Sequence, residues 1–148
     1  MTPDDLLARP PWESDWVTLD AARVRAFADI SEDWQYIHLD DARAAAETPF
    51  GGAVVHGFLT LSMLARLAYP MIESLDGYAS SVNYGFDRIR FVAPVRVGAR
   101  VRARLLVADV EQGDGWVNVH WDVEIEADGA ARPAIVANWI TRIFTAPA

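Results

Sequence analysis

The chain has 148 residues, 52% of them hydrophobic, the size of one compact domain whose core can form without covalent staples. A net charge of -8 is the wrong sign for a surface that tracks phosphate backbones, so nucleic acid is not an expected partner. Cysteine is absent, which excludes disulfides and thiolate metal sites; all 13 basic residues are arginine, which excludes covalent chemistry through a lysine Schiff base.

The opening residues, "MTPDDLLARPPWESDW", are acidic and proline-bearing, with neither the basic leader nor the apolar stretch of an export signal. A cytoplasmic, single-domain protein spanning 1–148 is the expectation, with residues 1–15 as a loose arm. "WVTL" (Trp16 to Leu19) reads as a short strand. Asp20 then caps an amphipathic helix, because Val24, Phe27 and Ala28 recur at helical spacing; that helix ends near Ile30. A second short helix, "DDARAAAE", starts from Asp40 or Asp41 and is stopped by "TPFGG".

Residues Ala53 to Ile72, "AVVHGFLTLSMLARLAYPMI", form a nearly unbroken apolar run. A membrane span needs about 20 clean apolar residues, and this run carries His56, Ser62, Arg66 and Pro70. It reads instead as a helix buried on nearly all sides inside a protein, not as a membrane segment.

From Ser80 the period changes. "SSVNYGFDRIRFVAPV", "ARVRARLLVADVEQ", "WVNVHWDVEIEA" and "AIVANWITRIF" read as four long strands separated by turn signals. In the third, Val117, Val119, Trp121, Val123 and Ile125 alternate with Asn118, His120, Asp122, Glu124 and Glu126, so one face is buried. Short connections favour an antiparallel meander, and the apolar helix needs a surface to lie against. The fold class is therefore α+β, a long antiparallel β-sheet wrapped around a central buried α-helix.

Between the two early helices lies "SEDWQYIHLD", with Asp33 and His38 five positions apart. In a helix they would sit roughly 140° apart, at about 100° per residue. In a strand, an odd separation also places them on opposite faces. Only an irregular turn aims both at one point; in regular structure, Asp33 is a turn cap and His38 a structural histidine. The next segment, "FGGAVVHGFLTLS", puts a histidine and a glycine where the buried helix begins. Its first turn presents unpaired amides that suit a carbonyl oxygen gaining negative charge, and Gly57 permits close approach. An acid, a base and an amide-lined helix start make a minimum kit for adding water across a double bond conjugated to a thioester. Ser62, about one and a half turns along, is placed to hydrogen-bond the loop from below.

"FADISEDWQYIHLDDARAAAETPFGGAVVHGFLTLSMLARL" resembles the hydratase motif of MaoC-like proteins, the hot-dog-fold group containing (R)-specific enoyl-CoA hydratases. "NYGFDRIRFVAPVRVGARVR" is similar to the strands that follow it, especially in the nodulation-protein-N-like branch. The resemblance implies that Asp33 and His38 bind and activate water, that the Gly57 amide is the oxyanion donor, and that Ser62 supports the acid. It implies an acyl-CoA or acyl carrier protein thioester as substrate, no cofactor, and a homodimer paired through sheet edges; no metal is expected, because no tight ligand spacing supports a site from His38, Asp40 and His56. The pattern often has Gly between the Ser and the Asp, then Asn-Pro; this chain carries Glu32, Gln35 and Tyr36 instead.

Trp34, Gln35 and Tyr36 are candidates to flank the acyl tunnel, and Asn83, Tyr84 and Asp87 to line the acyl or pantetheine channel. His56 matches the helix-start histidine of the resemblance, and His120 falls on a polar strand face. A clamp for nucleotide phosphates is sought among Arg88, Arg90, Arg100, Arg102 and Arg104. Two other functions share this frame: a hot-dog acyl-CoA thioesterase and a non-catalytic acyl-thioester-binding accessory protein. The former usually carries a carboxylate on or beside the central helix, where this chain has none before Glu73.

Overall fold

The computed structural model describes residues 2–145. Its elements are α1 (Pro3–Leu7), β1 (Trp12–Glu13), β2 (Val17–Thr18), α2 (Ala21–Ser31), α3 (Tyr36–Leu39), α4 (Asp41–Glu47), α5 (Gly57–Ile72), β3 (Tyr78–Phe91), β4 (Arg100–Gly113), β5 (Trp116–Ala127) and β6 (Ile135–Thr145). All six strands belong to one sheet, every pairing in it is antiparallel, and α5 packs on its apolar face.

The local signals in the sequence act as their chemistry dictates. The Asp20 carboxylate accepts the Arg23 amide at 2.9 Å and starts α2; Asp40 does the same for Arg43 and α4. In β5 the expected alternation holds, with Val117, Val119, Trp121, Val123 and Ile125 all buried. Asn118 is buried too, because Glu111 and Arg142 hydrogen-bond its amide from either side. Leu59, Met63, Leu64 and Leu67 of α5 meet Leu105, Val119 and Trp121 of the sheet in one apolar cluster. Each such leucine contributes about 1.5–3 kcal/mol on leaving water.

Three expectations need correction. The helix occupies only Gly57–Ile72, and it is not buried all round: Phe58, Ser62, Arg66 and Pro70, spaced by four, form an exposed stripe. Exposure of that stripe also lets Pro70 sit inside the helix, since the Arg66 carbonyl it leaves without a donor can be hydrated. The N-terminal residues are no loose arm. A capping box between Thr2 and Asp5 sets α1, Leu6 is buried in the core, and Trp12 pairs with Leu105 at the sheet edge.

The third correction concerns strand order, which is β1, β4, β5, β6, β3 rather than a meander in chain order. β3 lies beyond β6, so residues 92–99 must carry the chain from one side of the sheet to the other. They do so past the start of α5, where the Val95 carbonyl accepts the Val55 amide at 2.8 Å and Val97 donates to Ala53 at 3.1 Å. This crossing strap is what walls the helix N-terminus. Among the described residues, no helix is long and apolar enough to cross a membrane.

Candidate active site

Glu32 is the residue that turns the chain toward the site. It caps α2 in the left-handed conformation (φ 57°), ending the helix one residue before Asp33. Asp33 is therefore in a loop, and its carboxylate faces the amide of Gln35 at 3.4 Å, a short Asx-type turn. His38 follows in α3, a single helical turn closed by the Asp40 amide on the Tyr36 carbonyl. The irregular turn that the spacing required is thus a helix stop, an Asx turn and one turn of helix.

This arrangement brings Asp33 Oδ2 within 3.9 Å of His38 Nε2. The gap is too long for a hydrogen bond and too short for a water inserted in line. A water bonded to both at about 2.8 Å sits at the apex of a triangle, with an angle near 90° between its two partners. The opposite nitrogen of His38, Nδ1, lies 2.7 Å from the Val54 carbonyl. A carbonyl only accepts, so Nδ1 carries the proton and neutral His38 presents a bare lone pair at Nε2. Burial of the ring lowers its pKa below the ordinary 6.5; the Val54 hydrogen bond opposes this, nearby His56 adds to it, and Asp33 opposes it weakly.

Gly57 opens α5, with His56 as the N-cap. The first intrahelical bond of this turn runs from Thr60 to the His56 carbonyl, so the Gly57 amide has no acceptor within the helix. A Cβ at Gly57 would lie 2.9 Å from the Phe91 ring, so any side chain larger than a hydrogen displaces that ring. His38 and Gly57 line one pocket of about 290 Å³ together with Ile37, Thr60, Phe91 and the crossing strap at Pro94. A larger groove of about 450 Å³ lies on the polar face of the sheet, around Arg88, Arg104, Asp122 and Asn138. It contains no histidine and no helix start, and the smaller pocket is the one with the chemistry.

The loop that carries the Val54 carbonyl is clamped by Arg96, which donates to Ala53 at 3.2 Å, Phe50 at 3.1 Å and the Asp41 carboxylate at 3.1 Å. Gly52 makes room for this guanidinium, since a Cβ there would collide with it. Neither Val54 nor Arg96 has a sequence signal: one acts through its backbone, and the other is one arginine among 13. Phe91 was likewise not legible as a pocket residue.

Other candidates fall outside this constellation. The Ser62 hydroxyl donates to Leu59 of its own helix at 2.8 Å, not to the Asp33 loop. Trp34 is exposed and donates to Asp29 at 3.1 Å; Gln35 is the N-cap of α3; Tyr36 packs under the Arg43 guanidinium at 3.9 Å. None of the three lines the pocket of His38 and Gly57. Asn83, Tyr84 and Asp87 are exposed on β3, with Tyr84 under Arg142 and Asp87 facing His120 at 3.8 Å. His120 is flanked on its other side by Glu111 at 3.7 Å, so it sits between two carboxylates rather than in open solvent. Among the candidate phosphate ligands, Arg100 is paired with Asp128, and Arg102 with Glu13 and Glu126. Both guanidinium groups are thus engaged by surface carboxylates.

His56, by contrast, is in the middle of the site. It is 3% exposed, its ring stacks on His38 with centroids 3.7 Å apart, and its Nε2 donates to the Asp33 carbonyl at 3.0 Å. Ligand atoms of Asp33, His38 and His56 lie within 4.8 Å of one another, the spacing of a metal cluster. The stack argues against that use. Near-parallel rings 3.7 Å apart aim their lone pairs along separate planes, and His56 Nε2 is already donating.

Comparison with known proteins gives a consistent set of relatives. Residues 5–129 match the family described as "MaoC like domain". Nodulation protein N of Rhizobium meliloti is 42% identical over 128 residues, covering 86% of this chain and 80% of that protein. 3-Hydroxyacyl-thioester dehydratase Z of Mycobacterium tuberculosis is 45% identical over 131 residues, covering 88% and 85%. The solved (R)-hydratase of A. caviae involved in PHA biosynthesis superposes with a TM-score of 0.72 at 27% identity, covering 89% of this chain and 92% of that one.

Proposed function

The chain belongs to the MaoC-like domain family, and we propose that it is a hydratase/dehydratase that adds water to a trans-2-enoyl thioester, or removes it from the (3R)-hydroxyacyl product. The observation that carries this reading is the bare Nε2 of His38, 3.9 Å from the Asp33 carboxylate and in one pocket with the first amide of α5. The hydratase and dehydratase names of its relatives support the reaction class, and the (R)-specific relative supports the stereochemistry.

In the hydration direction, the thioester oxygen accepts a hydrogen bond from the Gly57 amide, and the enoyl chain lies in the apolar pocket. The Asp33 carboxylate orients the water by accepting a hydrogen bond from one O–H, which stays on the oxygen. His38 Nε2 takes the other proton as the oxygen bonds to the β-carbon, and the electron pair of the double bond moves into an enolate held at Gly57. The imidazolium then returns that proton to the α-carbon from the same face. The steps balance without a cofactor, because water is consumed whole. The carrier is coenzyme A or acyl carrier protein, and the proposed place of work is the cytoplasm.

The active unit we propose is a homodimer. β3 ends the sheet, and an uncovered edge strand with Val82, Tyr84 and Phe91 about half exposed is a template for a second copy. Phe58, 69% exposed, packs edge-on against Phe91 and extends that apolar margin to the pocket mouth.

The test is a spectrophotometric screen of enoyl-CoA thioesters of increasing chain length, with chiral analysis of the product. Loss of enoyl absorbance with a (3R)-hydroxyacyl product is expected. Release of free thiol without loss of the double bond would replace the reading with a thioesterase.

A further inference from the structure

We infer that His56 is a positioning residue of the reaction, one that holds both halves of the acid–base pair through its ring and its Nε2 proton. The inference rests on the hydratase reading for its kinetic consequences, although its geometric content stands without it.

His56 touches each component of the site by a different contact. Its backbone carbonyl accepts the first intrahelical bond of α5 from Thr60 at 3.1 Å, so the residue is fixed to the helix that carries the Gly57 amide. Its Nε2 donates to the main-chain carbonyl of Asp33 at 3.0 Å across 23 positions of sequence. Its ring face lies on His38, at 3.7 Å and 24°, and its other neighbour is the Phe27 ring at 5.1 Å. The local bonds of Asp33 itself are long: its amide donates to the Ser31 hydroxyl at 3.4 Å and its carboxylate accepts the Gln35 amide at 3.4 Å. The His56 bond is the long-range tie that sets where the carboxylate sits relative to His38.

The same contacts exclude His56 from proton transfer. With Nε2 committed to a carbonyl, the remaining nitrogen Nδ1 is unprotonated, buried and without a hydrogen-bond partner. Among the described residues, the titratable groups acting on His38 are His56 and Asp33. The ring stack fixes the plane of His38.

Two substitutions separate the hydrogen bond from the packing. His56→Phe keeps a ring of similar shape in the stack and loses the donor. His56→Gln loses the ring and keeps an N–H at the reach of Nε2. His56→Phe is expected to retain its melting temperature and lose about 10- to 100-fold in kcat, with KM within about twofold, since the displaced carboxylate misorients the water. His56→Gln is expected to recover most of that loss. Wild-type kcat in His56→Phe would show that the ring only fills space, and a His56→Gln no faster than His56→Phe would also overturn the inference.

Should His56→Phe fail to fold, His56→Gln against His56→Asn decides, because both are amides and only Gln reaches the Asp33 carbonyl. Equal kcat for the two overturns the inference. A second readout does not depend on turnover. The Nε2 proton of His56 is expected as a slowly exchanging imidazole resonance in the wild type, and a rapidly exchanging one contradicts the hydrogen bond to Asp33. If wild type shows no hydration, that resonance still tests the placement, so failure of the functional reading and failure of this inference remain distinguishable.

Discussion

His38 Nδ1 donates to the Val54 carbonyl at 2.7 Å, and that one bond decides which nitrogen of the ring is basic. The carbonyl belongs to the segment that Arg96 clamps ahead of α5, so the tautomer of His38 is written into the fold two elements away from the ring.

The pH dependence follows from the same ring. Burial holds the His38 pKa below 6.5, and the neutral form is the one that accepts a proton. As pH falls, kcat/KM should stay level through 6.5 and drop only at lower pH. For stability, the folded pKa is depressed, so the unfolded chain binds the proton first. The contribution from neutral His38 is complete above 6.5 and is lost as pH falls through the folded value. His38→Gln should flatten that part of the melting-temperature profile; an unaltered profile would remove the argument.

Glu32 sits in the left-handed region with φ 57°. A side chain there costs about 1–2 kcal/mol, while a glycine loses about 0.4–1 kcal/mol through unfolded-state entropy. Glu32→Gly should therefore stabilise the protein by about 0.5–1 kcal/mol, read by urea denaturation, with turnover preserved. Destabilisation would mean that Glu32 holds the turn by its side chain.

Gly57 has the Phe91 ring where a Cβ would go, at 2.9 Å. Gly57→Ala should lower kcat/KM by about tenfold or more, since the displaced ring enters the approach to the amide. In Phe91→Ala the space opens, and the double variant should lose less than the sum of the singles. Strict additivity would separate the two residues.

The β3 edge predicts assembly. Sedimentation should report twice the 16.4 kDa chain mass for wild type, and Val82→Arg should shift the equilibrium toward the monomer. A wild-type monomer at working concentrations would contradict the proposed pairing.

Much of this was legible in the sequence because it depends on local chemistry. Asp20 and Asp40 cap helices through their own carboxylates, and β5 shows its buried face by alternation. The spacing of Asp33 and His38 showed that only a loop could aim both at one point, the flanking caps suggested that loop, and the resemblance implied that the two groups meet. What escaped is long-range. No local pattern tells that β3 pairs with β6 instead of β4, yet that choice makes the strap beside Gly57. The arm residues dock because Leu6 finds a core assembled elsewhere. His56 looked like a helix-start residue, and only the fold reveals the 23-residue hydrogen bond to Asp33.

Crotonyl-CoA hydration by wild type, Asp33→Asn and His38→Ala, each verified as folded by its melting temperature, tests the central claim most directly. On the proposed mechanism the pair acts as acid–base machinery on one water, and each single variant is expected to lose about 10²- to 10⁴-fold in kcat. Two folded variants that hydrate as fast as wild type would mean that water is activated elsewhere.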